Sequence, residues 1–212
     1  MKWTNFLDNF GGLPIIPTKL LYAGAGDIPA LGVQISRWKK TGRLAQLKKG
    51  LYFINRPYRT SQVYEPYIAT ELIRPSYISL AKALEMHNLI PEAVFTFTCV
   101  TTKRPAHYET PVGVFDYRYI RRDLFWGYEP LTQQNQTAFL AVPEKALLDH
   151  FYFLNGPVTR EVIEGLRLQN LEILNEKRLL DFAAKFRKPK IARAAREILD
   201  YRKELLAAER AV

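Results

Sequence analysis

Cysteine is nearly absent from this sequence, with Cys99 the only one in 212 residues. It cannot form an internal disulfide. Its apolar, strand-like surroundings suit a small hydrophobe in a reducing compartment, which makes the cytoplasm the expected location. Histidine is scarce too: His87, His107 and His150 lie far apart and no CxxC accompanies them, so the ligand spacing of a zinc site is missing. No apolar run approaches the ~20 residues of a membrane span. The N-terminal MKWTNFLDNF carries Asp8 and no long apolar core, unlike a secretory signal. GxxxxGK[ST], HExxH and a nucleophile elbow are also missing. The expectation is therefore no metal, no cofactor, no catalytic residue and no membrane partner.

Positive charge is what the chain has in excess, with a net charge of +10. Its distribution is uneven. The first 60 residues hold ten Lys/Arg against two acids, residues 61–156 hold eight against ten, and residues 157–212 hold thirteen against nine. Solubility alone does not require such unequal sharing. A densely anionic partner, most simply nucleic acid, explains it better.

Periodicity organises the same region. Trp3, Phe6, Leu7 and Phe10 fall at helical spacing, and Gly11-Gly12 stop that helix. A second helix is expected from Thr18, followed by a turn over AGAGDIP. A third resumes between Pro29 and Val33 and runs to Thr41, with Gly42 as its C-terminal stop. LAQLKKGLYFIN then reads as a hairpin turning at Lys48-Lys49-Gly50. Three helices followed by a basic hairpin is the order of a winged helix-turn-helix, whose last helix enters the major groove while the wing touches backbone. With Ile35 and Trp38 facing the preceding helices, Ser36, Arg37, Lys39 and Lys40 project elsewhere, and Gln34 lies at the side. Gln, Arg and Ser suit base edges, whereas Lys suits phosphate. Arg43, Lys48 and Lys49 extend the positive surface onto the hairpin. The competing reading is a solvated basic helix face beside a basic turn.

Downstream, residues 56–62 read as a linker. Helices are expected over 64–73 and from an N-cap at Ser79. Strands follow in VFTFTCVTT, with Phe95, Phe97 and Cys99 on one side, in VGVFDYRYI, and in TAFLAV, while TKRPAHYETP is read as the turn between the first two. Pro143 opens an apolar helix in which Glu144 favours the dipole and Lys145 snorkels. Three helices close the chain, near 159–168, 175–186 and 189–208. Lys188, Lys190, Arg193 and Arg196 make a possible second basic surface there, the alternative being an ordinary solvated helix face. The fold class expected is α+β: a winged helix-turn-helix over residues 1–58, then a mixed unit over 62–212 that is helical from about 157.

Two other functions have some support in the residues. His107, Glu109 and Asp116, with Lys103 and Arg104 nearby, loosely match a metal-dependent nuclease. Phe95, Phe97, Tyr108, Phe115, Tyr117, Phe125 and Trp126 could line a ligand pocket in a small-molecule-responsive regulator, although alternating aromatics are usually core.

LKKGLYFI, IATELIRPSYISLAKALEMHNLIPE, FTFTCVTTKR and FLAVPEKALLDHFYF, in this order downstream of a basic helix, are similar to the AbiEi antitoxin family of type IV toxin–antitoxin systems. The resemblance spans Leu44 to Leu154. It implies that the N-terminal winged helix binds operator DNA with inverted repeats and represses its own operon. It further implies that the remainder counters a nucleotidyltransferase toxin of the AbiEii type, with no stable complex required. Arg37, Lys39, Lys40, Arg43, Lys48 and Lys49 match the basic helix-and-wing of that family.

Overall fold

The computed structural model describes residues 1–23 and 28–209. The expected AGAGDIP turn falls largely outside them, on residues 24–27.

The N-terminal third runs α1 (Trp3–Phe10), β1 (Ile16–Pro17), α2 (Thr18–Ala23), α3 (Ile28–Lys40), β2 (Leu44–Lys48) and β3 (Leu51–Ile54). The strands form an antiparallel sheet in the order β1-β3-β2. Phe6, Leu21, Leu31, Ile35, Trp38, Leu44 and Ile54 bury one small core between the helices and one face of this sheet. Trp3, Phe6 and Trp38 pack ring to ring within it, their centroids 4.7–5.3 Å apart. The opposite face of the hairpin belongs to a different core. Leu47, Leu51 and Phe53 pack with Ile68, Leu72 and the rest of the large apolar cluster. A bulge between Gln46 and Lys48 accommodates the change of facing at the turn.

The remainder is built on a six-stranded mixed sheet in the order β6-β7-β5-β4-β9-β8. Its strands are β4 (Ser76–Ile78), β5 (Thr96–Thr101), β6 (Ala106–Thr110), β7 (Gly113–Tyr119), β8 (Tyr128–Gln133) and β9 (Gln136–Ala141). Helices cover both faces. Cys99 and Tyr117 are cross-strand partners, and both point to the Ala69 carbonyl of α4 (Glu65–Leu72) on one side; the Tyr117 hydroxyl donates to it at 2.5 Å. Tyr77 and Ser79, two residues apart, reach Asp149 of α6 (Pro143–Phe153) on the other side. α5 (Leu80–Met86) and α6 pack together there. α7 (Arg160–Gly165), α8 (Glu176–Lys185) and α9 (Pro189–Glu209) complete the chain, α8 and α9 packing on α6.

Several expectations are corrected. TKRPAHYETP is not simply a turn, because β6 forms within it. Phe95 is not on the β5 face; it precedes the strand and is 87% exposed. Ser79 sits at the N-cap of α5 but does not cap it, since its hydroxyl is committed to Asp149. β1, β4 and β8 were not foreseen.

Candidate nucleic-acid interface and a buried charge network

α3 divides cleanly between two faces. Leu31, Ile35 and Trp38, at i, i+4 and i+7, are buried. Val33, Ser36, Arg37 and Lys40, at i, i+3, i+4 and i+7, form the exposed face opposite. The helix ends on a glycine. Gly42 adopts φ +69°, its N–H donates to the Lys39 carbonyl at 3.1 Å, and Arg43 N–H donates to the Trp38 carbonyl at 2.9 Å. That pair of bonds is the Schellman closure, which glycine supports because it carries no Cβ. The three cations of the last turn, Arg37, Lys39 and Lys40, also lie where the helix dipole favours positive charge.

The eight residues expected to contact DNA do not share one environment. Ser36, Arg37 and Lys40 are exposed together on α3, and Lys49 is exposed at the hairpin tip beside Gly50, whose φ is +83°. Gln34 is half-buried on the flank of the helix. Lys39 is exposed but donates to Gln46 Oε1 on β2. Arg43 is half-buried, its guanidinium carbon 5.3 Å from the Trp3 ring and 5.8 Å from the Tyr58 ring. Lys48 turns under the sheet, donates to the Leu72 carbonyl, and is held below its usual pKa by burial. Lys48 therefore fastens the hairpin to α4 instead of facing outward. Among the described residues, none of the six Lys and Arg between Gln34 and Lys49 has an acidic partner within 4.0 Å.

In the possible second basic surface, Lys188, Arg193 and Arg196 are exposed, while Lys190 donates to the Leu154 carbonyl and has its pKa lowered by burial. His107 lies on the open face of β6, 3.6 Å from Glu109 and 3.7 Å from Asp116 across to β7. Lys103 and Arg104 are exposed in the preceding loop. Among the described residues no three His, Cys, Asp or Glu side chains are grouped to hold a metal ion.

Among the described residues, the most enclosed charges are ones that sequence reasoning missed. Lys145 does not snorkel: it and Asp149 have no exposed side-chain surface, and Lys145 Nζ donates to Asp149 Oδ1 at 2.5 Å and to the Leu124 carbonyl at 3.1 Å. Asp149 Oδ2 accepts from Tyr77 and Ser79 at 2.9 Å each. The ammonium lies 4.6 Å from the ring centroids of both Trp126 and Phe186. Burial pushes the Asp149 carboxyl up and the Lys145 ammonium down, and Lys145–Asp149 attraction opposes both shifts. The i,i+4 spacing in PEKALLD was the available signal. Glu144 is buried as well. It accepts from the Asn175 N–H at 2.7 Å and pairs with Arg178 at 2.8 Å, tying α6 to the start of α8.

No protein-family model matches the chain, and no curated protein matches it. The chain is a mixed α+β protein, and among its described residues no helix is long and apolar enough to cross a membrane.

Proposed function

We propose that the N-terminal third is a winged helix-turn-helix that binds duplex DNA, with α3 in the major groove and the β2–β3 tip against the backbone. The observation that carries this reading is the exposed face of α3, where Ser36, Arg37 and Lys40 stand together without acidic partners, backed by an antiparallel three-stranded sheet. Arg37 is the candidate for base edges, and Lys40 and Lys49 for phosphate. Lys39, tied to Gln46, and Arg43, stacked on aromatics, hold the helix end and contribute field. Lys48 has no place in the contact set, because its half-buried ammonium is turned to the Leu72 carbonyl of α4. Taken with the similarity of the 44–154 stretch to AbiEi antitoxins, the whole protein is a non-enzymatic autorepressor and antitoxin. Its DNA partner is an inverted-repeat operator upstream of its own gene, and its functional partner a nucleotidyltransferase toxin.

Footprinting and mobility shift with the protein's own upstream DNA test the DNA half. Protection of an inverted repeat is expected, with affinity falling steeply as salt rises. Combined Arg37→Ala, Lys40→Ala and Lys49→Ala substitution should abolish the footprint; unchanged protection would remove these residues from the interface. The antitoxin half is tested in cells expressing a neighbouring nucleotidyltransferase. Rescue of growth by the α3 variant would separate neutralisation from DNA binding, and no rescue by the wild type would end the antitoxin reading.

A second reading has one observation in its favour. A cavity of about 580 Å³ is lined by Tyr67, Phe125, Tyr128 and Phe139, with Glu71 and Arg74 at its polar side. In a ligand-responsive regulator this cavity would take a small aromatic effector. Operator affinity altered by such a compound, and no longer altered after Tyr128→Ala, would favour it over toxin neutralisation.

A further inference from the structure

A second cleft, of about 590 Å³, lies where the linker after β3 passes the β6–β7 turn. Its walls include Asn55, Arg56, Arg59 and Phe53 on one side and Pro111 and Val112 on the other. Both arginines lack an acidic partner within 4.0 Å among the described residues. Arg56 is close enough to act on Arg59: burial lowers the Arg59 pKa, the Arg56 charge lowers it further, and Glu65 at the same cleft opposes both. Arg59 is half-buried, with its guanidinium carbon 5.8 Å from the Phe53 ring. Arg56, exposed, and Arg59, half-buried, both line the cleft, and Glu65 is the acidic residue of its lining, which leaves an excess of positive charge that an anion would neutralise. An anion with several oxygens in a tetrahedral arrangement accepts from two such forks better than one planar carboxylate does.

The cleft adjoins the proposed DNA-binding helix. Asn55 Nδ2 donates to the Gly42 carbonyl at 2.8 Å, and Asn55 N–H donates to the Arg43 carbonyl at 3.0 Å. Gly42 follows Lys40, the last residue of α3, by two positions. Asn55 thus joins one wall of the cleft to the turn that closes α3.

We propose that this cleft is a phosphate site, and that in the complex with duplex DNA it takes one backbone phosphate beside the α3 contact. The second half of that statement rests on the reading of α3 given above; the first half does not. A phosphodiester of the duplex and a free phosphate group share the chemistry, and the test separates them.

Duplex affinity is measured by fluorescence anisotropy over a salt series for the wild type, for Arg56→Gln/Arg59→Gln, and for Arg37→Ala/Lys40→Ala. Loss of one phosphate contact should make the log–log salt slope shallower by about 0.9 in the cleft variant. The reduction should be equal for operator and unrelated duplexes, because phosphates carry no sequence information. Arg56→Lys/Arg59→Lys keeps the charge without the forks and should restore part of the slope, guarding against a folding artefact. An unchanged slope in the folded cleft variant overturns the duplex assignment while leaving α3 intact. If the wild type binds no duplex, the α3 reading fails by itself. The cleft is then read with inorganic phosphate alone, through the arginine Nε signals in nitrogen-15 spectra. Displacement of the Arg59 signal sustains a free-phosphate site, and no displacement overturns it.

Discussion

Lys145 and Asp149 are one helical turn apart on α6, and neither side chain reaches water. Taking such charges out of solvent costs several kcal/mol per ion and is offset only where the remaining protons and lone pairs find partners. Asp149 accepts from Lys145, Tyr77 and Ser79, and Lys145 also donates to the Leu124 carbonyl. The lysine stem is closely packed too, since a Cβ on Gly127 would lie 3.0 Å from Lys145 Cγ. The damaging state is thus the half-removed pair. Asp149→Ala is expected to lower unfolding free energy by about 3–5 kcal/mol. Lys145→Met with Asp149→Leu removes both charges at similar volume and should recover a large part of that loss, leaving the cost of the unpaired Tyr77 and Ser79 hydroxyls. Urea unfolding followed by circular dichroism measures both. A double variant as damaged as the single one would place the network's contribution in the pairing itself and sink the orphaned-charge account. The spacing of the pair was legible in PEKALLD, but its burial was not. A lysine in the first turn of a helix reads as a surface residue until Trp126 and Phe186, from other parts of the chain, close over it.

At the scale of elements, the joint between α3 and β2 is the clearest dependence on one residue type. Gly42 is left-handed, and both closing bonds of the helix pass through or beside it, while the Thr41 hydroxyl adds bonds to the Arg37 and Trp38 carbonyls at 3.1 and 3.3 Å. Gly42→Ala should cost about 1–2 kcal/mol, the strain of a left-handed L-residue. Gly12, whose added Cβ would meet nothing within 4 Å and whose φ is not positive, provides the control. Gly12→Ala should stay within about 0.5 kcal/mol of wild type. Equal effects in chemical denaturation would refute the assignment of strain to Gly42. That joint was readable in advance because Thr-Gly follows a run of helical periodicity. The same signals located α1, α2, the hairpin, α6, α8 and α9. The missed strands share physical reasons. β6 and β8 are the two edges of the large sheet, so they tolerate polar residues and, in β8, Pro130. β4 has three residues and β1 two; pairing with β5 and β3 makes them strands, not any pattern of their own. The candidate interface was legible only as a charged stretch. Which of its cations face outward depends on Gln46, Trp3, Tyr58 and Leu72, and no periodicity announces those partners.

For the molecule as a whole, the β2–β3 hairpin decides whether the two parts fold separately. A boundary at residues 58–62 assigns the hairpin to the N-terminal part, yet its two faces serve two cores: Leu44 and Ile54 the small one, Leu47, Leu51 and Phe53 the large one. Lys48 to Leu72 ties the parts further, and the Thr60 hydroxyl, donating to the Gly11 carbonyl at 2.8 Å, holds the connecting segment against the N-terminal part. Loss of the small core would strip apolar cover from α4, so the two should unfold together. The tryptophans allow the point to be measured, because Trp3 and Trp38 report on the small core and Trp126 on the large one. In Trp126→Phe and in Trp3→Phe/Trp38→Phe backgrounds, urea midpoints from fluorescence should coincide after each background's own shift is referenced to circular dichroism. Leu51→Ala, which opens a cavity on the large-core face of the hairpin, should cost about 2–5 kcal/mol. The decisive expectation is that it lowers the midpoint seen by the small-core tryptophans as far as the one seen by Trp126. A small-core transition that stays in place while the Trp126 transition falls would mean that the hairpin transmits nothing, and that the N-terminal part rests on the large sheet without depending on it for stability.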